Sequence, residues 1–221
     1  MINATFLIEN TKTWVQEQLE NADAAHDWHH TERVYQMACR LVEQEGGDPL
    51  VVAIAALLHD VADAKFHHGD ETVAPRLIRA YLISQAVAED LIQQVLFIVK
   101  HLSFRNLKQQ PTELPIEFKI VQDADRLDAI GAIGIARAFH FGGHRNNPIH
   151  DPEIPPQTTF DKATYQQSKS TTINHFYEKL LLLKEMMQTP TAQAIAEKRH
   201  QKMLQFLQDF NEEWHAKDAT I

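Results

Sequence analysis

An apolar run that stops at an imidazole and a carboxylate limits what this chain can fold into more than any other stretch. It reads VVAIAALLHDVADAKF, Val51 to Phe66, and its first eight residues are all apolar. A helix that is apolar on every side belongs in an interior, not on a surface. Asp48-Pro49 supplies its start, with Asp as N-cap and Pro at the first helical position. His59-Asp60, followed by Asp63 and Lys65, then places polar groups in a dry environment. That is costly unless they are hydrogen-bonded or held by a metal ion.

Bulk properties narrow the rest. At 221 residues the chain is long enough for one well-filled domain, expected here over 1–221 with a core of about 26–142. The formal net charge of -9 argues against a nucleic-acid polymer as partner, since a phosphate backbone calls for a basic surface. An anionic small molecule stays compatible, because a local metal ion outweighs the global charge. Cys39 is the only cysteine, which rules out an intrachain disulfide and fits a reducing compartment. The opening MINATFLIENTKTWV carries no basic stretch ahead of an apolar core, so no signal peptide is expected. The apolar runs are too short and interrupted to span a bilayer. The expected location is the cytosol, away from membranes.

Taken in order, Ile2 to Asn21 reads as an amphipathic helix with Phe6, Trp14 and Leu19 among Glu and Gln. Asp27 can cap the next helix, Trp28 to Glu45. On it, helical spacing back from Leu41 through Met37/Ala38 and Val34 puts His30 on the inner stripe, while His29 shares a solvated face with Arg33, Gln36 and Arg40. Gly46-Gly47 ends it. Helices follow from about Glu71 to Ser84 and Ala88 to Leu102, the second with Leu91, Val95, Ile98 and Val99 inward. The run Ile116 to Gly142 is helical, with a break expected near Asp128–Gly134. Within it, Asp125 follows Phe118 and Val121 on an inward stripe. Asp123 lies about 200° away around the helix beside Lys119 and Arg126, so Asp125 is expected to be the buried acid. Residues 143–169 carry four prolines and little periodicity, the profile of a lid or a disordered insertion. Two helices, about Ser170 to Gln188 and Ala192 to Lys217, close the chain. Nothing reads as a strand, so the expected fold class is a single-domain all-α bundle.

Four inward groups from three helices thus stand out: His30, His59, Asp60 and Asp125. Each has a plain reading of its own. A single inward histidine is more often a satisfied core residue, His59 at a helix end complements the dipole, and Asp125 can pair with Arg126 or Arg137. Together they form a mixed N/O set suited to one divalent ion, Mn, Mg, Fe, Co or Ni, harder than a thiolate zinc site. Facing helices are a known frame for such a site.

The spacing His30…Val34, ALLHD at 56–60 and ADRLDA at 124–129 resembles the H…HD…D signature of the HD-domain metal-dependent phosphohydrolases. The stretches HDWHHTERV, LLHDVADAKF, HLSF, QDADRLDAIGAIGIAR and HFYEKLLLLKEMMQT are similar to a narrower branch, the small stand-alone bacterial members of the YpgQ/YedJ type. The resemblance covers nearly the whole chain. It implies an all-α HD fold with His30, His59, Asp60 and Asp125 as metal ligands. It also implies hydrolysis of a phosphate ester or anhydride with a nucleotide as substrate, and manganese as the first choice among ions that also include zinc.

An ion so held activates water and neutralises charge on phosphorus. Asp63, one turn beyond His59, is the candidate to orient or deprotonate that water, against a capping role. The alarmone-hydrolysing members carry a Glu-Asp pair there, whereas this chain has Asp63-Ala64. Lys65, His101, Asp128, Lys179 and Arg199 are candidates for substrate contact, each with a surface, helix-end or ion-pair role as its alternative. The expected activity is a (deoxy)nucleoside triphosphate pyrophosphohydrolase. Alternatives are a nucleotide phosphomonoesterase or cyclic phosphodiesterase, or a non-catalytic metal-stabilised nucleotide-binding module, in a monomer or homodimer.

Overall fold

The computed structural model describes residues 3–20, 27–61, 70, 72–102, 113–157 and 170–217. Among these, every regular element is helical, as the absence of strand-like alternation predicts. The chain forms two compact units, residues 1–125 and 126–221.

In the first unit, α1 (Ala4–Gln18) buries Leu7, Thr11 and Val15, with Leu19 just beyond. This spacing of four carries the stripe past Phe6, which is exposed. Trp14 stacks on Tyr81 with ring centroids 4.2 Å apart, and the Tyr81 hydroxyl donates to Thr11 Oγ1 at 3.0 Å. Helix α2 (Trp28–Glu45) buries His30, Thr31, Val34, Ala38, Leu41 and Val42, while His29 faces out. Gly46, at φ 81, ends it by donating its amide to the Val42 carbonyl.

Helix α3 (Pro49–Leu58) is the centre of this unit. Asp48 caps it, accepting from the Leu50 and Val51 amides, and Val51 through Leu58 are all buried. It packs against α1, α2 and α5, which is why no polar side chain is tolerated along its length. The helix stops at Leu58 instead of continuing, and His59 occupies the C-cap position. Helices α4 (Val73–Ser84) and α5 (Glu89–Leu102) pack on each other. The buried stripe of α5 is Ile92, Val95, Ile98 and Leu102; Leu91 and Val99 are half-buried at its edges.

Helix α6 (Ile116–Asp128) ends at Ala129-Ile130, and α7 (Gly131–His144) begins after the break, where the sequence placed it. In the second unit, residues 148–157 run along α8 (Thr172–Glu178). The Thr172 and Ile173 amides donate to the Pro148 and Ile149 carbonyls at 2.9 and 3.0 Å, and the Gln157 amide donates to Glu178 Oε1 at 2.9 Å. The first part of the expected lid, residues 145–157, is therefore fastened structure; the remainder, with Lys162, Tyr165 and Lys169, lies outside the described residues.

The sequence suggested one helix from Ser170 to Gln188. Instead α8 stops at Lys179, where φ is -141°, and Leu180–Met186 forms a 3₁₀-helix. With three residues per turn, Leu180 and Leu183 eclipse on one buried face while Leu182 turns to solvent. Helix α9 (Pro190–Trp214) buries Ala192, Ala196, Met203 and Leu207 and packs against α7.

Candidate metal centre

His30 sits at the third position of α2. Its backbone N–H donates to the Asp27 N-cap carboxylate at 2.8 Å. His59 and Asp60 follow the last turn of α3, and Asp125 stands late in α6. Three elements thus deliver four side chains to one point in the first unit.

The potential ligand atoms are closely spaced. His30 Nε2 lies 3.3 Å from His59 Nε2, 3.4 Å from Asp60 Oδ2 and 3.5 Å from Asp125 Oδ1. His59 Nε2 lies 3.7 Å from Asp60 Oδ2 and 3.9 Å from Asp125 Oδ1. Metal–ligand bonds of roughly 2.0–2.2 Å separate neighbouring ligand atoms by about 3 Å and opposite ones by about 4 Å. The observed separations fall between these limits.

The protonation states agree with a cation. His59 Nδ1 is 2.8 Å from the Ala56 carbonyl. A carbonyl only accepts, so Nδ1 carries the proton and Nε2 presents its lone pair to the cluster. His30 Nε2 is then surrounded by one imidazole lone pair and two carboxylate oxygens. A proton on that nitrogen could point at one of them, not at all three; a cation satisfies all. His30, His59 and Asp60 form a group that could hold a metal ion, and Asp125 Oδ1 stands beside it, 3.5 and 3.9 Å from the two histidine Nε2 atoms. Both histidine side chains are 2% exposed, Asp60 14% and Asp125 38%, so the site opens toward solvent at Asp125.

That gradient overturns the assignment of Asp125 as the buried acid. Asp123 is the one with no exposure, and Arg126 on the same flank is also buried. Helix α6 is enclosed on nearly all sides, since Phe118, Ile120 to Ala124 and Arg126 to Asp128 are all buried. Its flank at Asp123 and Arg126 therefore meets protein rather than water, while Lys119 and Asp125 stay partly exposed. Periodicity missed Asp123 because it assumes that a helix has a solvent side. The available signal was composition: QDADRLD is too polar to face a core unless those groups find partners there.

Four of the other candidates are placed within their own units. His101 ends α5 with Nδ1 on the Phe97 carbonyl at 2.8 Å and its ring against Phe97, which leaves Nε2 as the acceptor. Asp128 in the second unit accepts from Arg137 Nη1 at 2.8 Å, so Arg137 pairs with Asp128 and not with Asp125. Arg199 donates to the Leu127 carbonyl. Lys179 is the C-cap of α8. Asp63 and Lys65 lie outside the described residues.

A profile of the HD domain matches residues 27–130, which span the cap of α2 to the end of α6 and include all four converging groups. The chain belongs to the HD-domain family of metal-dependent phosphohydrolases. Among its relatives, YpgQ of Bacillus subtilis is 39% identical over 216 residues, covering 96% of this chain and 95% of YpgQ. A solved HD-superfamily hydrolase from Bacillus thuringiensis superposes with a TM-score of 0.77 at 41% identity, over 97% of this chain and 100% of that one. The crystal structure of YpgQ in complex with ADP superposes with a TM-score of 0.73 at 33% identity, over 93% of this chain and 97% of YpgQ.

Proposed function

We propose that this hydrolase acts on nucleotides, cleaving (deoxy)nucleoside triphosphates to release pyrophosphate, with one divalent ion held by His30, His59, Asp60 and Asp125. The observation that carries the reading is the convergence of four ligand atoms, all within 3.9 Å of either histidine Nε2. The ADP complex of YpgQ supports a nucleotide as the ligand class. Manganese is the expected ion, and the mixed N/O set also admits Mg, Fe, Co, Ni or Zn.

A bound divalent ion supplies charge neutralisation at phosphorus and a water acidic enough to attack it near neutral pH. The chain's own part is to hold that centre rigid. Ala56 fixes the His59 tautomer through its carbonyl, and the buried walls of α2 and α3 keep bulk water from the imidazole side. Asp125, the most exposed of the four, borders the open side from which a phosphate chain enters. Asp63 is the proposed base for the attacking water. Lys65, His101 and Lys179 are the proposed phosphate contacts. Asp128 and Arg199 would act with part of their hydrogen-bonding capacity already committed to Arg137 and Leu127. The protein is taken to work as a single domain in the cytosol, as monomer or homodimer. Of its described helices, none is long and apolar enough to cross a membrane.

Phosphorus NMR of a nucleotide panel incubated with Mn-loaded protein tests this, beside Asp125→Ala and a chelated sample. Pyrophosphate with a nucleoside monophosphate, absent from both controls, is the expected result. Orthophosphate alone would replace the reading with a phosphatase. No metal-dependent product from any nucleotide would overturn it.

A further inference from the structure

Of the four ligands of the centre, His30 stands in the opening turn of its helix, and the side chain that caps that turn is acidic. His59 and Asp60 follow a helix that is buried along its length, and Asp125 stands in the last turn of α6 between the buried Ala124 and Arg126. His30, in contrast, belongs to the first turn of α2. Ahead of it His29 is exposed and Trp28 only half-buried, so His30 is the first residue of that helix anchored in the core. The turn is closed by two bonds, both from Asp27: its side chain accepts from the His30 amide at 2.8 Å, and its carbonyl accepts from the Thr31 amide at 3.2 Å. The first amides of a helix have no partner within the helix, and an uncapped first turn frays.

We infer that Asp27 is a positioning residue for metal binding: by capping α2 on the His30 amide it holds the His30 imidazole in the ligand sphere. The inference rests on the metal-site reading above. Fraying of the first turn takes His30 out of reach, and a ligand sphere that is complete only part of the time binds its ion more weakly in proportion. Asparagine keeps the accepting oxygen and caps as well as aspartate, whereas alanine removes it. The metal affinity should therefore follow the acceptor and not the charge.

The test is a Mn²⁺ titration of the purified protein, with free Mn²⁺ read by electron paramagnetic resonance. Wild type, Asp27→Ala, Asp27→Asn, Asn3→Ala and His59→Ala are compared, each checked for folding by circular dichroism in chelator. Asn3 caps α1 in the same way, on the Phe6 amide, but that helix carries no ligand. Expected are a loss of binding in His59→Ala, an affinity about three- to tenfold weaker in Asp27→Ala, and wild-type affinity in Asp27→Asn and Asn3→Ala. Asp27→Gly, which removes the acceptor at a smaller cost to the helix, replaces the alanine variant if that one does not fold. Asp27→Ala binding as tightly as wild type, with His59→Ala impaired, would overturn this inference alone, and so would Asp27→Asn binding as weakly as Asp27→Ala. Wild type binding no better than His59→Ala would overturn the metal reading and this inference with it.

Discussion

At the scale of single residues, the polar groups inside this protein divide by what burial does to them. The four converging groups of the centre gain from a cation. His175 in α8 does not: burial pushes its imidazole down to about 4, and the neighbouring positive charge of Lys179 adds to the shift. A histidine that stays neutral in the fold but protonates near 6.5 when unfolded makes the unfolded state bind more protons between those two values. Stability is then complete above about pH 6.5 and falls as the pH drops toward 4, by at most about 3 kcal/mol. Urea unfolding of chelated protein between pH 7 and 4 should show this loss, and His175→Gln should flatten it. An equal slope in the variant would assign the acid sensitivity to other groups. Chelation matters here, because metal binding to such ligands is itself pH-dependent and would add to the slope.

At the scale of elements, the informative place is the break between α6 and α7. The sequence put it near Asp128–Gly134, and two glycines explain why it lies there. Gly131 has φ +77, and a Cβ on it would stand 2.9 Å from the Arg199 side chain. Gly134 has an ordinary φ, but a Cβ there would lie 2.3 Å from the Ala129 carbonyl oxygen, which is backbone and has nowhere to go. Gly134→Ala should cost about 2–3 kcal/mol by urea denaturation, even though alanine is the better helix former. An unchanged or raised midpoint would mean that the chain can open the break by a few tenths of an ångström at little cost. The element boundaries elsewhere followed local chemistry closely: Asp27, Asp48-Pro49 and Gly46 mark starts and stops that the structure keeps. Lys179 is the exception. Nothing local marks the change to a 3₁₀-helix, because it is set by which leucine face the surrounding core accepts.

At the scale of the whole molecule, the proposed ion joins α2, α6 and the end of α3, which are distant in sequence. A ligand that binds only the folded chain stabilises it by mass action, about 2.7 kcal/mol at a hundred times its dissociation constant. Thermal unfolding should therefore shift upward with Mn²⁺ in wild type and not in Asp125→Ala. In chelator the variant should melt no lower than wild type, since removing a partly exposed carboxylate from a cluster of lone pairs relieves repulsion without opening a core cavity. A lower chelated melting temperature would make Asp125 a structural residue first.

The sequence by itself determined the helical class, the caps, the buried α3 and the four converging residues. Those features depend on residue type and on spacing within one helix, which the chain order carries directly. Asp125 was found for its position, but its exposure and the burial of Asp123 were decided only by tertiary structure. Whether the flank of α6 meets water or protein depends on segments far away in the chain, and no periodicity encodes them. The same holds for the strap at 148–157. Its prolines and missing periodicity describe a loop, and only the carbonyls and amides it shares with α8 make it a fastened one.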